Sequence, residues 1–259
     1  MIYNKTGQTY DATRKADPFI VDRIFQLLAP KPDQFYLDIG CGTGNYTIAL
    51  ADKGLKFYGV EPSEQMLKQA KAKNPQIKWQ TGTAEKIPCE HSLFDGAIAT
   101  LTLHHWTDLE QSFKEISRVL KNKGRLVIFT STQEQMKGYW LNKYFPGILR
   151  ASIQQMPSYQ DLEEAIKASG MVITAKEKYN IHKDLQDSFL YIGKNNPYLY
   201  FDEQIRNGIS SFALSADDKE IQEGLSSLSH DLEYDQFIDV KKQYANNLGD
   251  YVFITVEKK

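Results

Sequence analysis

Apolar residues along this chain follow two periods, one helical and one extended, in alternation. Residues 18–29 place Phe19, Ile20, Ile24, Leu27 and Leu28 at helical spacing, and Pro30 and Pro32 stop the run. Phe35-Tyr36-Leu37-Asp38-Ile39 then reads as a short strand entering a glycine-rich turn. Tyr46 to Ala51 starts a helix, with Asn45 as its N-cap. Phe57-Tyr58-Gly59-Val60 is a second strand, Ser63 to Lys73 a helix with Met66, Leu67 and Ala70 inward, and Ile77-Lys78-Trp79 a third strand. A fourth strand lies within residues 93–103. Thr107 and Glu110 form a capping box for a helix that buries Leu109, Phe113, Ile116 and Leu120. Gly124 turns the chain into a fifth strand over 125–129. Strands and helices at these intervals predict an α/β fold, a parallel sheet with helices on both faces.

Beyond Thr130 the pattern changes. Tyr139, Trp140, Tyr144 and Phe145 crowd together ahead of Pro146, and core packing is the favoured reading over a pocket wall. Residues 161–169 read as a helix ended by Gly170, and residues 171–179 as a strand. Residues 182–250 are mostly helical and rich in Tyr and Phe, and residues 251–256 close with a clear strand. Asp217, Asp218, Lys219 and Glu220 look like a solvated helix start. No repeat, low-complexity tract or Gly/Ser linker divides the chain. The expected organisation is therefore a core of residues 1–181 and 251–259 with a helical cap insertion at 182–250.

Composition narrows the function. The chain has 259 residues, 41% hydrophobic and 25% charged, enough for one large domain or a core with an insertion. A net charge of −2 and a pI near 6.2 argue against a nucleic-acid partner. Two cysteines, Cys41 and Cys89, form no Cys-x-x-Cys or Cys/His cluster, so no metal site is expected. Without a signal-peptide core or an apolar run near the ~18 residues of a membrane span, the chain reads as soluble, cytoplasmic and without a membrane partner.

The strongest chemical signal is Leu37-Asp38-Ile39-Gly40-Cys41-Gly42-Thr43-Gly44. Glycines there allow a tight strand-to-helix turn and close approach of a ligand to the backbone. A dinucleotide fingerprint has G-x-G-x-x-G, whereas here the glycines fall as G-x-G-x-G with Asn45 in the later position. The shorter pattern, with an acid just before it, suits a ligand without phosphates. Glu61 closes the second strand 17 residues beyond Gly44, close to the roughly 20-residue offset of a ribose-binding acid.

These residues resemble the first two motifs of class I S-adenosylmethionine-dependent methyltransferases, Glu61-Pro62-Ser63 being the second. Gly82-Thr83-Ala84-Glu85-Lys86-Ile87-Pro88 resembles that family's adenine-loop segment, and Phe94-Asp95 and the turn before the fifth strand match as well. The set resembles the methyltransferase type 11 group over about residues 8–130. The resemblance implies a Rossmann-like three-layer sandwich with a mostly parallel seven-stranded sheet whose last strand is antiparallel. It implies S-adenosyl-L-methionine as cofactor and S-adenosyl-L-homocysteine as product. The implied cofactor residues are Tyr10, Arg14, Asp38, Gly40, Cys41, Gly42, Gly44, Glu61, Pro62, Met66, Thr83, Ala84, Glu85 and Thr100. Tyr10 and Arg14 would surround the cofactor's carboxylate. Thr83 stands where the family often has an acid for the adenine, so the Ala84 amide and Glu85 are the alternatives. Each residue also has a plainer reading: Glu61 as an acid at a helix N-terminus, Met66 as core, Arg14 as a surface cation.

Methyl transfer from a sulfonium is an in-line displacement that needs positioning and exclusion of water more than a strong electrophile. His104-His105-Trp106 follows the fourth strand, where open α/β sheets place their ligand crevice. His105, then His104, are the candidate catalytic residues, against a structural role for one and a solvent role for the other. The expected acceptor is a small molecule. Its wall would come from the insertion, with Phe189, Tyr191, Tyr198, Tyr200, Phe201 and Phe212 offering aromatic surface and Arg206 a site for an acidic acceptor; the plainer reading, favoured for most of these aromatics, is that they pack the insertion onto the sheet. The alternatives are a nicotinamide-dependent oxidoreductase and a non-catalytic cofactor-binding module.

Overall fold

A computed structural model of the chain describes residues 10–214 and 218–259. Seven strands form one sheet: β1 Phe35–Ile39, β2 Lys56–Glu61, β3 Lys78–Thr81, β4 Phe94–Thr100, β5 Leu120–Thr130, β6 Met171–Tyr179 and β7 Tyr251–Lys258. Their order is β3-β2-β1-β4-β5-β7-β6. The first five run parallel, and β7 pairs antiparallel with both β5 and β6. This is the three-layer Rossmann-like sandwich anticipated from the motifs, with the last strand reversed.

Alternation along the strands separates two cores. Tyr36, Ile98, Val127 and Phe129 face Ile20 and Ile24 of α2 (Pro18–Leu28). Leu37, Ala97, Ala99 and Ile254 face the other way, onto Phe113 and Ile116 of α5 (Leu109–Val119) and Leu162 and Ile166 of α8 (Tyr159–Ala168). Between β1 and β2 runs α3 (Asn45–Ala51), and between β2 and β3 runs α4 (Glu64–Lys73). A short α1 (Tyr10–Thr13) precedes α2. Trp79 of β3 fills the space beside two glycines: an added Cβ would meet its ring at 2.5 Å from Gly44 and at 2.4 Å from Gly59.

Two capping expectations are corrected. Gly44 occupies the cap of α3, and Asn45 is its first helical residue. The Asn45 amide donates instead to Asp11 Oδ1 (3.2 Å) and to the Arg14 carbonyl (2.9 Å). For α5 the cap is Asp108, which accepts from the Gln111 amide, while Thr107 donates to Glu85. An acidic side chain two elements away competes for Thr107, which local spacing does not reveal. Leu120 opens β5 rather than ending α5, pairing with Phe94. The capping box lies elsewhere, at Thr132 and Gln135 of α6 (Gln133–Lys137).

Residues 182–250 contain a 3-10 turn (Pro197–Phe201), α9 (Glu203–Gly208), α10 (Ser210–Ala213), α11 (Asp218–Glu233) and α12 (Phe237–Gln243). Aromatic contacts join this segment to the residues after β5. Tyr139 stacks on Tyr191 with ring centroids 3.8 Å apart, and Trp140 meets Phe237 edge-on at 4.9 Å. Tyr139, Trp140, Tyr144 and Phe145 are all buried in that packing. Glu220, read from the sequence as part of a solvated helix start, accepts from the Gly147 and Ile148 amides at the N-terminus of α7 (Pro146–Gln155). Asp217 lies outside the described residues. Among the described residues no helix is long and apolar enough to cross a membrane.

The buried Tyr200 hydroxyl is the polar hub of this packing. It lies 2.7 Å from the Tyr139 hydroxyl, donates to the Leu190 carbonyl and accepts from the Gly193 amide at 3.3 Å. Tyr200→Phe leaves these groups without their partner and is expected to cost roughly 1–3 kcal/mol in denaturant unfolding.

Candidate active site

The strand order reverses between β1 and β4, so the loops leaving their carboxyl ends diverge and open a crevice. From β1 comes the turn Gly40–Gly44, and from β4 the segment Leu101–His105. Leu101 has a positive φ of 53°, uncommon for a branched residue, and its amide donates to the Phe129 carbonyl. The cavity between these loops is lined by Arg14, Asp38, Gly40, Cys41, Gly42, Glu61, Met66, Thr100, His104 and His105. The sheet topology has thus gathered residues from 14 to 105 into one place.

The other expected site residues stand back from it. Gly44 packs beneath Trp79, Pro62 and Thr83 are exposed, and Ala84 is buried in the core. Glu85 accepts from the Thr107 amide at 2.7 Å and so holds the entry of α5. The side chain of Tyr10 lies outside the described residues. Sequence reasoning did not find Thr43, Tyr46, Thr102, Met156, Asp187 or residues 207–211, which also line the cavity. Most come from segments without a motif; Asp187 carried no signal, being 173 residues from its partner Arg14.

Two buried carboxylates dominate the electrostatics. Glu61 accepts from the Gly42 amide through Oε2 (3.1 Å) and from the Ser63 amide through Oε1 (3.0 Å). Burial raises its pKa, and those two amides oppose the rise. Asp38 is 2% exposed and accepts from Thr47 Oγ1 at 2.5 Å. Burial raises it to about 7; the Thr47 bond opposes this and the Glu61 charge adds to it. Burial also pushes the Cys41 thiol up, with Asp38 and Glu61 contributing. This corner of the cavity favours a ligand that brings donors or positive charge.

The glycines differ in what they face. At Gly42, φ is +54° and an added Cβ would have only Met66 Sδ within reach, at 3.8 Å. The missing side chain therefore leaves open cavity above a backbone that most residues avoid. At Gly44, φ is +79° and the same atom would overlap the Trp79 ring.

Across the cavity the His104 and His105 rings lie 3.8 Å apart. Burial lowers His104 to about 3, helped by the neighbouring His105 and by Arg14. His105 is more exposed at the rim, and desolvation lowers it less, to about 4. Both rings are neutral at pH 7 and carry a lone pair without a positive charge.

A methyltransferase-domain family matches residues 37–128, the stretch that builds this corner. A solved structure from Anabaena variabilis, assigned as a methyltransferase from an antibiotic biosynthesis pathway, is 33% identical with a TM-score of 0.83. The match covers 94% of this chain and 98% of that one. An uncharacterized methyltransferase of Mycobacterium tuberculosis is 32% identical over 133 residues, 51% of this chain and 54% of the relative. The match thus spans about half the length of that relative. A demethylmenaquinone methyltransferase of Beutenbergia cavernae is 24% identical over 64% of the chain and 74% of the relative. The chain belongs to the class I S-adenosylmethionine-dependent methyltransferases.

Two outcomes test this geometry. Gly44→Ala should lower the melting temperature more than Gly42→Ala, because both incur the ~1–2 kcal/mol left-handed penalty but only the former collides with a buried ring. His104 has its folded pKa below its ordinary 6.5. Its contribution to stability is therefore complete above that value and is lost as pH falls toward 3. His104→Asn should flatten the decline of melting temperature over that acidic window.

Proposed function

We propose that this protein transfers a methyl group from S-adenosylmethionine to a small-molecule acceptor, with the cofactor held between Gly42, Asp38 and Glu61. The observation that carries the reading is the pair of buried carboxylates beside Gly42, where an added Cβ would stand in open cavity. Glu61 is placed to accept from vicinal ribose hydroxyls, and its two backbone donors fix its orientation. Asp38, whose ionisation burial disfavours, gains from a ligand bearing a cationic ammonium or sulfonium. Thr100 Oγ1 is buried without a hydrogen-bond partner among the described residues and lines the same space. These features fit the cofactor. Bound there, S-adenosylmethionine supplies an electrophilic methyl group on sulfur.

The chain's own residues have three tasks. Asp38, Glu61 and the glycine loop bind and orient the donor. His104 and His105 border the space beside the donor as neutral rings, and so add no cation of their own to face a nucleophile's lone pair. The insertion excludes water, which makes residues 182–250 a cap over the core. Support for the cap is the wall that residues 207–211 build in the same cavity as the glycine loop.

That wall is made differently from the aromatic one anticipated. Of the six aromatics named, Phe189 lines the cavity. Tyr191, Tyr200 and Phe212 are buried in packing, and Tyr198 and Phe201 are exposed. Arg206 donates to the Tyr200 carbonyl at 2.6 Å and is not part of the lining. The wall instead mixes Met156, Leu190, Ile209 and Leu214 with the hydroxyls of Ser152 and Ser211. Such a surface suits a small, partly apolar acceptor with neutral polar groups.

Calorimetry with S-adenosylmethionine, S-adenosylhomocysteine, NAD and NADP tests the donor. Binding of the first two and not of the nicotinamide nucleotides is expected; the reverse preference overturns the proposal. Glu61→Ala should weaken S-adenosylhomocysteine while the melt stays cooperative, each lost charge-assisted bond being worth ~1.5–3 kcal/mol.

A further inference from the structure

We propose that Asp187 is a positioning residue for the cofactor: it fixes the Arg14 guanidinium so that this cation meets the carboxylate at the amino-acid end of S-adenosylmethionine. The inference rests on the cofactor reading above and adds a residue of the inserted segment to that site.

Asp187 is 1% exposed and both of its carboxylate oxygens are used. Arg14 Nε donates to Oδ1 at 2.5 Å and Nη2 to Oδ2 at 3.3 Å, so Asp187 holds one edge of the guanidinium. The Tyr46 hydroxyl donates to Oδ2 at 3.0 Å. The backbone on either side is anchored too: the Gln186 amide donates to Asp17 Oδ2 (3.0 Å), and the Ser188 amide to the Thr13 carbonyl (3.1 Å). The segment around Asp187 is thus tied to the start of α2 and to α1 by its backbone, and to Arg14 and α3 by its carboxylate. An unrestrained arginine samples many rotamers, and the two bonds to Asp187 restrict that freedom in Arg14.

A buried ion pair is a poor way to gain stability alone, since an apolar pair of similar volume often serves as well. Its place in the fold gives it a different use. Arg14 and Asp187 both line the cavity that holds Asp38 and Gly42, and Arg14 is the one arginine or lysine among the described lining residues. A guanidinium has five donors in a fixed fork, and engagement of its Nε edge orients the whole group for a second carboxylate. Phe189 and Leu190, which follow Asp187 directly, line the cavity as well. One carboxylate of the insertion therefore links the donor's charged end to the wall that faces the acceptor.

The test uses two probes. S-adenosylhomocysteine carries the amino-acid group; 5′-methylthioadenosine carries the same nucleoside and a thioether without it. In Asp187→Asn, S-adenosylhomocysteine should bind roughly 10- to 100-fold more weakly, and 5′-methylthioadenosine as in the parent. A purely structural Asp187 would weaken both probes together, and a competitor for Arg14 would strengthen S-adenosylhomocysteine on removal; either result, or no change, overturns the proposal. Should Asp187→Asn fail to fold, Asp187→Glu retains the charge and displaces the guanidinium by one methylene, with the same selective loss expected. A parent that binds neither probe fails the cofactor reading itself, whereas a parent that binds both and a variant that keeps their ratio fails this inference alone.

Discussion

The Glu61 carboxylate is the constraint around which the site is arranged. One oxygen holds the Gly42 amide and the other the Ser63 amide. A single side chain thereby ties the turn after β1 to the entry of α4. Burying it costs free energy that those two amides offset in part. The turn it holds then dictates the rest: the glycine backbone faces the cavity, α3 starts beneath Trp79, and Asp38 is sealed beside Thr47. Loosening that one carboxylate would release the loop, the helix start and the second acid together.

A second layer closes over the first. Asp11 of α1 accepts from Thr43 Oγ1 at 2.6 Å and pairs with Lys73 of α4 at 2.9 Å. The amino-terminal helix therefore lies across the glycine turn rather than trailing from the core. Residues 182–250 reach the same region from the far end of the sequence through Asp187 and residues 207–211. The cavity wall thus comes from two kinds of structure, the loops at the ends of parallel strands and the short irregular helices of residues 182–250. The division matches the physics: fixed groups sit on strand ends, and adaptable surface sits on segments with little regular structure.

The local part of this arrangement was legible in the sequence. Strand periodicity, the G-x-G-x-G turn and the acid after β2 follow from spacing within a few tens of residues, and the structure brings Asp38, Gly42, Glu61, Met66 and both histidines to one cavity. What was not legible depends on contacts between distant segments. Asn45 reads as a cap until Asp11 and Arg14 claim its amide. Thr107 reads as half of a capping box until Glu85 reaches it. The aromatics of the insertion could be read as packing for the most part, but which of them would turn to the cavity was not visible in composition. Tyr200 points into packing, while Asn207 to Ser211, which do line the cavity, carry no pattern.

Trp79 has a consequence for how such a chain can diverge. Its ring occupies the room that side chains at Gly44 and Gly59 would need, and Gly59 would also press on Cys41 Sγ at 2.9 Å. Gly59 lies within a strand and has no unusual backbone angle, so nothing but neighbouring bulk keeps it small. A side chain at position 59 therefore requires both Trp79 and Cys41 to yield room. Gly44 shares the Trp79 neighbour and carries a further restriction, because at its φ of +79° any side chain adds a left-handed penalty of ~1–2 kcal/mol even where the ring makes room. Two glycines against one indole ring are thus constrained differently, Gly59 by the bulk around it alone and Gly44 by its backbone angle as well.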